Sequence, residues 1–171
     1  MELWELLDAA GTPTGELHRR GDALPQGRYH AIIGVWTLHR QLKRVLITRR
    51  APEKIICPNR WENTGGSVIA GETAPQAAAR ELREETGLHS APGDLIQVAT
   101  IQNGQVFANC FINYTAQPPD SIVLQAEETV DYRWVSLAEI DAIIAAGHFA
   151  EPEIIQYRTC RPFLAQALQD L

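Results

Sequence analysis

Residues 66–88 read GSVIAGETAPQAAARELREETGL, and three glutamates, Glu81, Glu84 and Glu85, fall within about one turn of a prospective helix. A helix turns about 100° per residue, so these carboxylates share one face about 100° wide. Leu82, with Ala78, Ala79 and Pro75, lies on the flank that would meet a core. Like charges three and four residues apart destabilise a helix by roughly 0.2–0.5 kcal/mol per pair. A bare cluster is therefore a cost, and something positive is expected to sit on it. Thr73 and Gln76 have the spacing of a capping box, Pro75 is tolerated in a first turn, and Gly87 suits a C-terminal stop. The spacing predicts a helix over 74–86.

Working outward, residues 3–8 and 15–20 flank the turn-rich AAGTPTG and predict an N-terminal hairpin. The apolar, β-branched runs 30–38 and 44–49 read as paired strands, and 51–62, with Pro52 and Pro58, reads as a loop. Strands are predicted over 95–102 and 105–115, joined at Asn103-Gly104, a strong hairpin pair, with a further short strand over 132–135. Ser136 and Glu139 repeat the capping-box spacing before a helix that ends at Gly147. A last helix should begin near Pro152 and be interrupted or ended before Pro162. Strands on both sides of a central helix, with terminal helices, predict an α/β or α+β sandwich with a mixed sheet.

The chain has 171 residues, a hydrophobic share of 45% and a formal net charge of −6, as expected for one domain over 1–171 with 1–28 as an N-terminal extension. The acidic balance argues against a non-specific nucleic-acid or anionic-membrane partner. A phosphorylated substrate would need local help from metal or arginine. Cys57, Cys110 and Cys160 are odd in number and widely spaced, which argues against a disulfide framework or a zinc site. The opening MELWELLD lacks a basic start and an apolar run, and no apolar stretch is long enough to span a bilayer. A cytoplasmic protein is expected.

The stretch from Gly66 to Leu88 matches the Nudix box position for position: Gly66, Glu72, Arg80, Glu81, Leu82, Glu84, Glu85, Gly87 and Leu88 fill its fixed places. The chain resembles the Nudix hydrolase family, and the resemblance implies a Nudix-type α/β/α sandwich. It implies that Glu81, Glu84, Glu85 and the carbonyl of Gly65 hold Mg²⁺, with Mn²⁺ as a substitute. Glu72 and Arg80 would brace the loop against the helix, and Gly66 would permit the tight backbone there. The chemistry agrees, because Mg²⁺ is usually bound by a few carboxylates plus substrate phosphates. Such ions neutralise diphosphate oxygens and generate or orient the attacking hydroxide. The general base is expected from QAEETVDYRWVS, at Glu127 or Glu128, with Glu84 or Glu85 activating water directly as the competing assignment.

The N-terminal half resembles the branch containing isopentenyl-diphosphate isomerases. Those enzymes place a reactive cysteine just after a Trp-x-Asn segment, where this chain continues Trp61-Glu62-Asn63-Thr64-Gly65-Gly66. They also use a glutamate on a later strand, and residues 105–114 contain no acid. Cys110 is expected to be a buried small residue, and His30 a structural or substrate-side histidine. Arg49, Arg50 and Lys54 are candidates to clamp a diphosphate. Trp36, Trp61 and Phe107 are candidates for stacking or core packing. The expected function is metal-dependent hydrolysis of a phosphoanhydride in a nucleoside diphosphate linked to another group. The alternatives are an isomerase-like enzyme and a non-catalytic diphosphate-binding module. The hairpin's exposed edge offers a route to a homodimer.

Overall fold

The computed structural model describes residues 2–171. In chain order its elements are β1 (Leu3–Leu7), β2 (Pro13–Arg19), β3 (His30–His39), β4 (Arg44–Arg50), β5 (Trp61–Glu62), β6 (Thr64–Ser67) and α1 (Ala74–Thr86). After a short 3₁₀ turn at Pro92–Asp94 come β7 (Ile96–Asn103), β8 (Val106–Thr115), β9 (Thr129–Val135), α2 (Leu137–Ala145) and α3 (Glu151–Gln169).

Both faces of β3 are covered, and its alternation sorts the core into two layers. Ile33 and Val35 pack with Phe111 against Ala78 and Leu82 of α1. Trp36 and Leu38 pack on the other side with Cys110, Ile140 of α2 and Tyr157, Cys160 and Leu164 of α3. Successive strand residues point to opposite faces, so one strand feeds both layers of an α/β/α sandwich.

The sheet is mixed and it splits. Strand β3 runs parallel to β8 along its whole length, from His30↔Val106 to His39↔Thr115. On its other edge the first half pairs antiparallel with β6, Ile32↔Ser67 to Val35↔Thr64. Only Leu38 and His39 reach β4, opposite Val45 and Arg44. The expected β3–β4 pairing thus exists only next to the turn, because β6 has taken the edge below it. β4 continues against β9 instead. Strand β6 was not anticipated from the sequence, since Gly65 and Gly66 weaken strand propensity. The divergence of β4 and β6 from one strand leaves a wedge beside α1.

The last helix also departs from expectation and runs through Pro162 without ending. Pro162 removes a hydrogen bond to the carbonyl of Arg158, and an interior proline costs ~3 kcal/mol. Both residues lie on the exposed side, where water reaches the freed carbonyl. Tyr157, Cys160, Leu164 and Ala167 are buried along the opposite side, and their packing offsets the cost.

The hairpin β1–β2 forms its own antiparallel sheet and docks beside the box. The N–H of Leu7 donates to Tyr29 O at 2.8 Å, and that of Ala70 to Leu3 O at 2.8 Å. Trp4 stacks on His30 with ring centroids 4.0 Å apart, which gives the histidine a structural role. Among the described residues no helix is long and apolar enough to cross a membrane.

Candidate active site

Helix α1 is held at both ends by the residues its sequence suggested. The N–H of Thr73 donates to Gln76 Oε1 at 2.8 Å, and Gly87, at φ 70°, donates its N–H to Arg83 O. These caps fix the rotation of the helix, and with it the directions of its glutamates.

Arg80 is the positive group expected on the glutamate face. Its Nε and Nη2 donate to Glu72 Oε1 and Oε2 at 2.8 and 3.0 Å. Nη1 donates to Glu81 Oε1 at 2.7 Å and Glu84 Oε2 at 3.1 Å, and Nη2 also donates to Ser67 O at 3.0 Å. Every guanidinium N–H is engaged, and its pKa is raised, chiefly by the bond to Glu72. Arg80 thus ties box loop, β6 and helix together. Gly66 serves the same packing: a Cβ there would lie 2.1 Å from Glu81 Oε1, so only glycine lets the Glu81 carboxylate rest on β6.

Glu85 points inward and is only 7% exposed. Its Oε2 has no hydrogen-bond partner. Burial holds its pKa well above the ordinary carboxylate value, reinforced by Glu62, Glu81 and Glu128, while the backbone N–H of Gly65 pulls the other way. Burial likewise raises the pKa of Glu81, and the ion pair with Arg80 moderates it.

Glu85, Gly65 and Gly66 line a cleft of about 270 Å³ in the wedge between β4 and β6. The structure brings Arg50, Lys54 and Glu128 to the same cleft. Arg50 Nη1 donates to Glu62 Oε2 at 2.6 Å and Nε to Ile56 O at 2.9 Å. Lys54 Nζ is paired with Glu128. Glu127, the neighbouring candidate, is exposed outside the cleft. Arg49 is turned away by strand alternation. Its Nη2 lies 3.7 Å from Asp131, and its guanidinium sits 5.8 Å from the centre of the Trp61 ring. Trp36 and Trp61 are buried, and Phe107 packs on Tyr29 at 5.4 Å. Phe107 borders a separate groove of about 440 Å³ under the hairpin, away from Glu81, Glu84 and Glu85. Cys110 is fully buried.

Two cleft residues escaped the sequence reading. Glu62 is 5% exposed, and burial lifts its pKa to about 7 against the pull of Arg50. Glu153, in the first turn of α3, is also lifted to about 7, by burial and then by Glu62. Its Oε2 has no partner. A glutamate at a helix start is ordinary dipole compensation, so nothing in its spacing marked it. The only signal for Glu62 was its place within Trp61–Asn63.

Among the described residues no three His, Cys, Asp or Glu side chains converge into a ready-made ion site. The carboxylates are instead strung from Glu84 through Glu81 to Glu85, with Arg80 holding one oxygen of each of the first two. The unpartnered Oε2 of Glu85, buried beside Gly65, fits a hard cation, which carboxylate oxygens prefer as a class.

Comparison with known proteins gives the family and the fold. The NUDIX domain model matches residues 28–157. An uncharacterised Nudix hydrolase of Listeria monocytogenes is 34% identical over 151 residues, covering 87% of this chain and 88% of that one. An isopentenyl-diphosphate Delta-isomerase of Escherichia coli is 30% identical over 141 residues, covering 79% and 77%. A Deinococcus radiodurans crystal structure superposes with a TM-score of 0.74 at 22% identity, covering 94% of this chain and 98% of that one. The NUDIX domain of Shewanella oneidensis NrtR, complexed with ADP ribose, gives 0.63 at 16% identity, covering 86% and 94%. With its box intact and its box helix, loop and β6 tied together by Arg80, the chain belongs to the Nudix hydrolase family.

Proposed function

We propose that the protein catalyses divalent-metal-dependent hydrolysis of a phosphoanhydride bond in a nucleoside diphosphate linked to another group. The observation that carries this reading is the buried, unpartnered carboxylate of Glu85 in a cleft that also holds Glu128 and the cations Arg20, Arg50 and Lys54. Leaving a buried acceptor unpaired costs on the order of 1–3 kcal/mol, more for a charged group. Such a cost is expected where function requires it. The ADP ribose bound by the Shewanella neighbour is a ligand of the proposed class.

Glu81, Glu84 and Glu85, with the carbonyl of Gly65, would hold Mg²⁺ or, in its place, Mn²⁺. The ion supplies neutralisation of phosphate oxygens and acidification of water. The chain's own residues do the rest. Arg80 keeps Glu81 and Glu84 on one side of the helix. Lys54 faces a choice between Glu128 and an incoming phosphate. A diphosphate that takes Lys54 frees the Glu128 carboxylate to accept a proton from the attacking water. Arg50, tied to Glu62, sets a fixed positive wall at the strand end.

The isomerase relative keeps a second reading in view. Proton transfer across an alkene needs an acid and a base on opposite faces, each within hydrogen-bond reach. Strand β8 offers no carboxylate, and Gly65 and Gly66 offer no thiol. The experiment is reaction in ¹⁸O water with Mg²⁺ over a panel of nucleotide-linked diphosphates. Label should enter a phosphate product, and no solvent deuterium should enter isopentenyl diphosphate. Deuterium at the allylic carbon with no labelled phosphate from any nucleotide overturns the hydrolase reading. Tight binding without turnover of either kind points instead to a binding module.

A further inference from the structure

Glu153 is a half-buried carboxylate that the hydrolytic reading leaves without work. Its Oε2 has no partner, and it lines the same cleft as Glu85, Glu62 and Arg50. Its helix does not need it, because Glu151 in the same first turn is exposed and already favourable to the dipole. Nor does Arg50 satisfy it, since the arginine donates to Glu62 and Ile56 O. Burying an acceptor with nothing to accept from is unfavourable. The cleft is therefore lined by two carboxylates that each have an unpartnered oxygen, Glu153 and the 7% exposed Glu85.

The two ask for different things. Glu85 continues the string of glutamates along α1. Glu153 comes from another layer, beside Ala150 and Pro152 on the cleft wall. An ionised carboxylate only accepts hydrogen bonds, so what fills this position must donate one. Phosphate oxygens are repelled here by Glu62 and Glu153 itself. The part of a substrate that belongs against Glu153 is the part beyond the diphosphate.

We propose that Glu153 is a specificity-determining residue that accepts a hydrogen bond from an O–H or N–H group in the non-phosphate part of the substrate. This rests on the diphosphate-hydrolase reading for the identity of the other end. The donor comes from either a sugar hydroxyl or a base amino or imino group. Donor-free diphosphates such as prenyl diphosphates gain nothing from Glu153. A pocket built to accept a substrate donor discriminates strongly against an analogue that lacks it.

The test compares wild type with Glu153→Gln, Glu153→Leu and Glu153→Asp. Hydrolysis and calorimetric binding are measured with Mg²⁺ for UDP-, CDP-, ADP- and GDP-glucose, their 2′-deoxy forms and isopentenyl diphosphate. For the best nucleotide, KM and Kd should rise about tenfold or more in the Gln and Leu variants, with kcat within about twofold. Glu153→Asp, which keeps the charge, should recover part of the loss. Isopentenyl diphosphate binding should not weaken. Loss confined to ribo over 2′-deoxy forms assigns a sugar hydroxyl, and loss that follows the base assigns a base N–H. Both Gln and Leu variants should melt no lower than wild type, because an unpaired buried charge has been removed. Equal weakening of every ligand, isopentenyl diphosphate included, overturns the proposal, as does no change in any. If wild type binds nucleotides but cleaves none, the hydrolase reading fails while the binding ratios still decide Glu153. If wild type prefers no nucleotide to isopentenyl diphosphate, the proposal on Glu153 fails.

Discussion

The protein uses one residue type in two opposed ways on either side of α1. On the box side, Glu72, Glu81 and Glu84 all share Arg80. Their mutual repulsion is reduced and their geometry is fixed before anything binds. On the cleft side, Glu85 is buried and Glu153 half-buried, each with an oxygen unpaired, and Glu62 has its arginine but little solvent. The difference teaches that a carboxylate held by Arg80 is positioned before anything binds, while an unpaired one is held at a cost that a ligand can offset. The box motif contains both kinds, and its spacing alone does not separate them.

The sharpest way to break that contrast is Glu85→Gln. A neutral amide is a poor ligand for Mg²⁺, so turnover should fall at least ~100-fold, about 2.7 kcal/mol in the barrier. The metal-free protein should melt higher at pH 8. Near-normal turnover with Mg²⁺ would place the chemistry elsewhere.

Arg80→Met attacks the other side. It strands Glu72, Glu81 and Glu84 on one face, and the partly buried network should lose about 2–3 kcal/mol of stability. Thermal melting should drop by roughly 5–10 °C for a chain of this size. Saturating Mg²⁺ should recover part of the drop, and an unchanged melting temperature would show that Arg80 does not brace the loop.

The contrast also predicts how stability depends on pH. Glu62 and Glu153 have folded pKa values of about 7, above the ordinary value of 4.5, so the folded state binds more protons than the unfolded chain between pH 4.5 and 7. Stability contributed by their protonation is complete below about pH 4.5 and is lost as pH rises through 7. Unfolding free energy of the metal-free protein should fall between pH 5 and pH 8 by on the order of 2–3 kcal/mol for each of these two carboxylates. Glu81 and Glu85, also raised by burial, add to this fall and His30, lowered by burial, opposes it, while Asp8, Glu16, Glu139 and Asp141, whose pKa values are lowered by their hydrogen bonds, lose their contribution only as pH falls below about 4.5. Denaturant titrations at pH 5 and 8 read it directly. A higher stability at pH 8 without metal contradicts the buried-acid picture. Glu153→Gln should flatten the slope.

The smallest effect separates neighbours. Glu128→Gln should lower turnover about 10- to 100-fold, the ordinary size of general-base catalysis at its lower end. Glu127→Gln, on an exposed side chain outside the cleft, should stay within about twofold. Equal losses would mean that the loop rearranges on binding substrate.

Much of this was legible in the sequence because it rests on local spacing. The helix at Ala74–Thr86, its capping box and the left-handed stop at Gly87 depend on residues within four positions of one another. The Asn103-Gly104 turn between β7 and β8 is local in the same way, with Gly104 at φ 57°. The box identified the family because its chemistry needs three carboxylates on one helical face. The need for a cation over that face followed from charge repulsion alone.

Tertiary structure decided the rest. Glu127 and Glu128 are adjacent in sequence, as are Arg49 and Arg50, yet only one of each pair enters the cleft. The fork at β3 placed Gly65 and Gly66 in a strand that propensity disfavours, and the packed side of α3 carried the helix through Pro162. Glu62 and Glu153 lie 91 positions apart and become neighbours only when α3 packs against the split sheet. Their properties come from the removal of water by distant segments. Desolvation belongs to the packed chain and has no signature in the spacing of the residues it acts on.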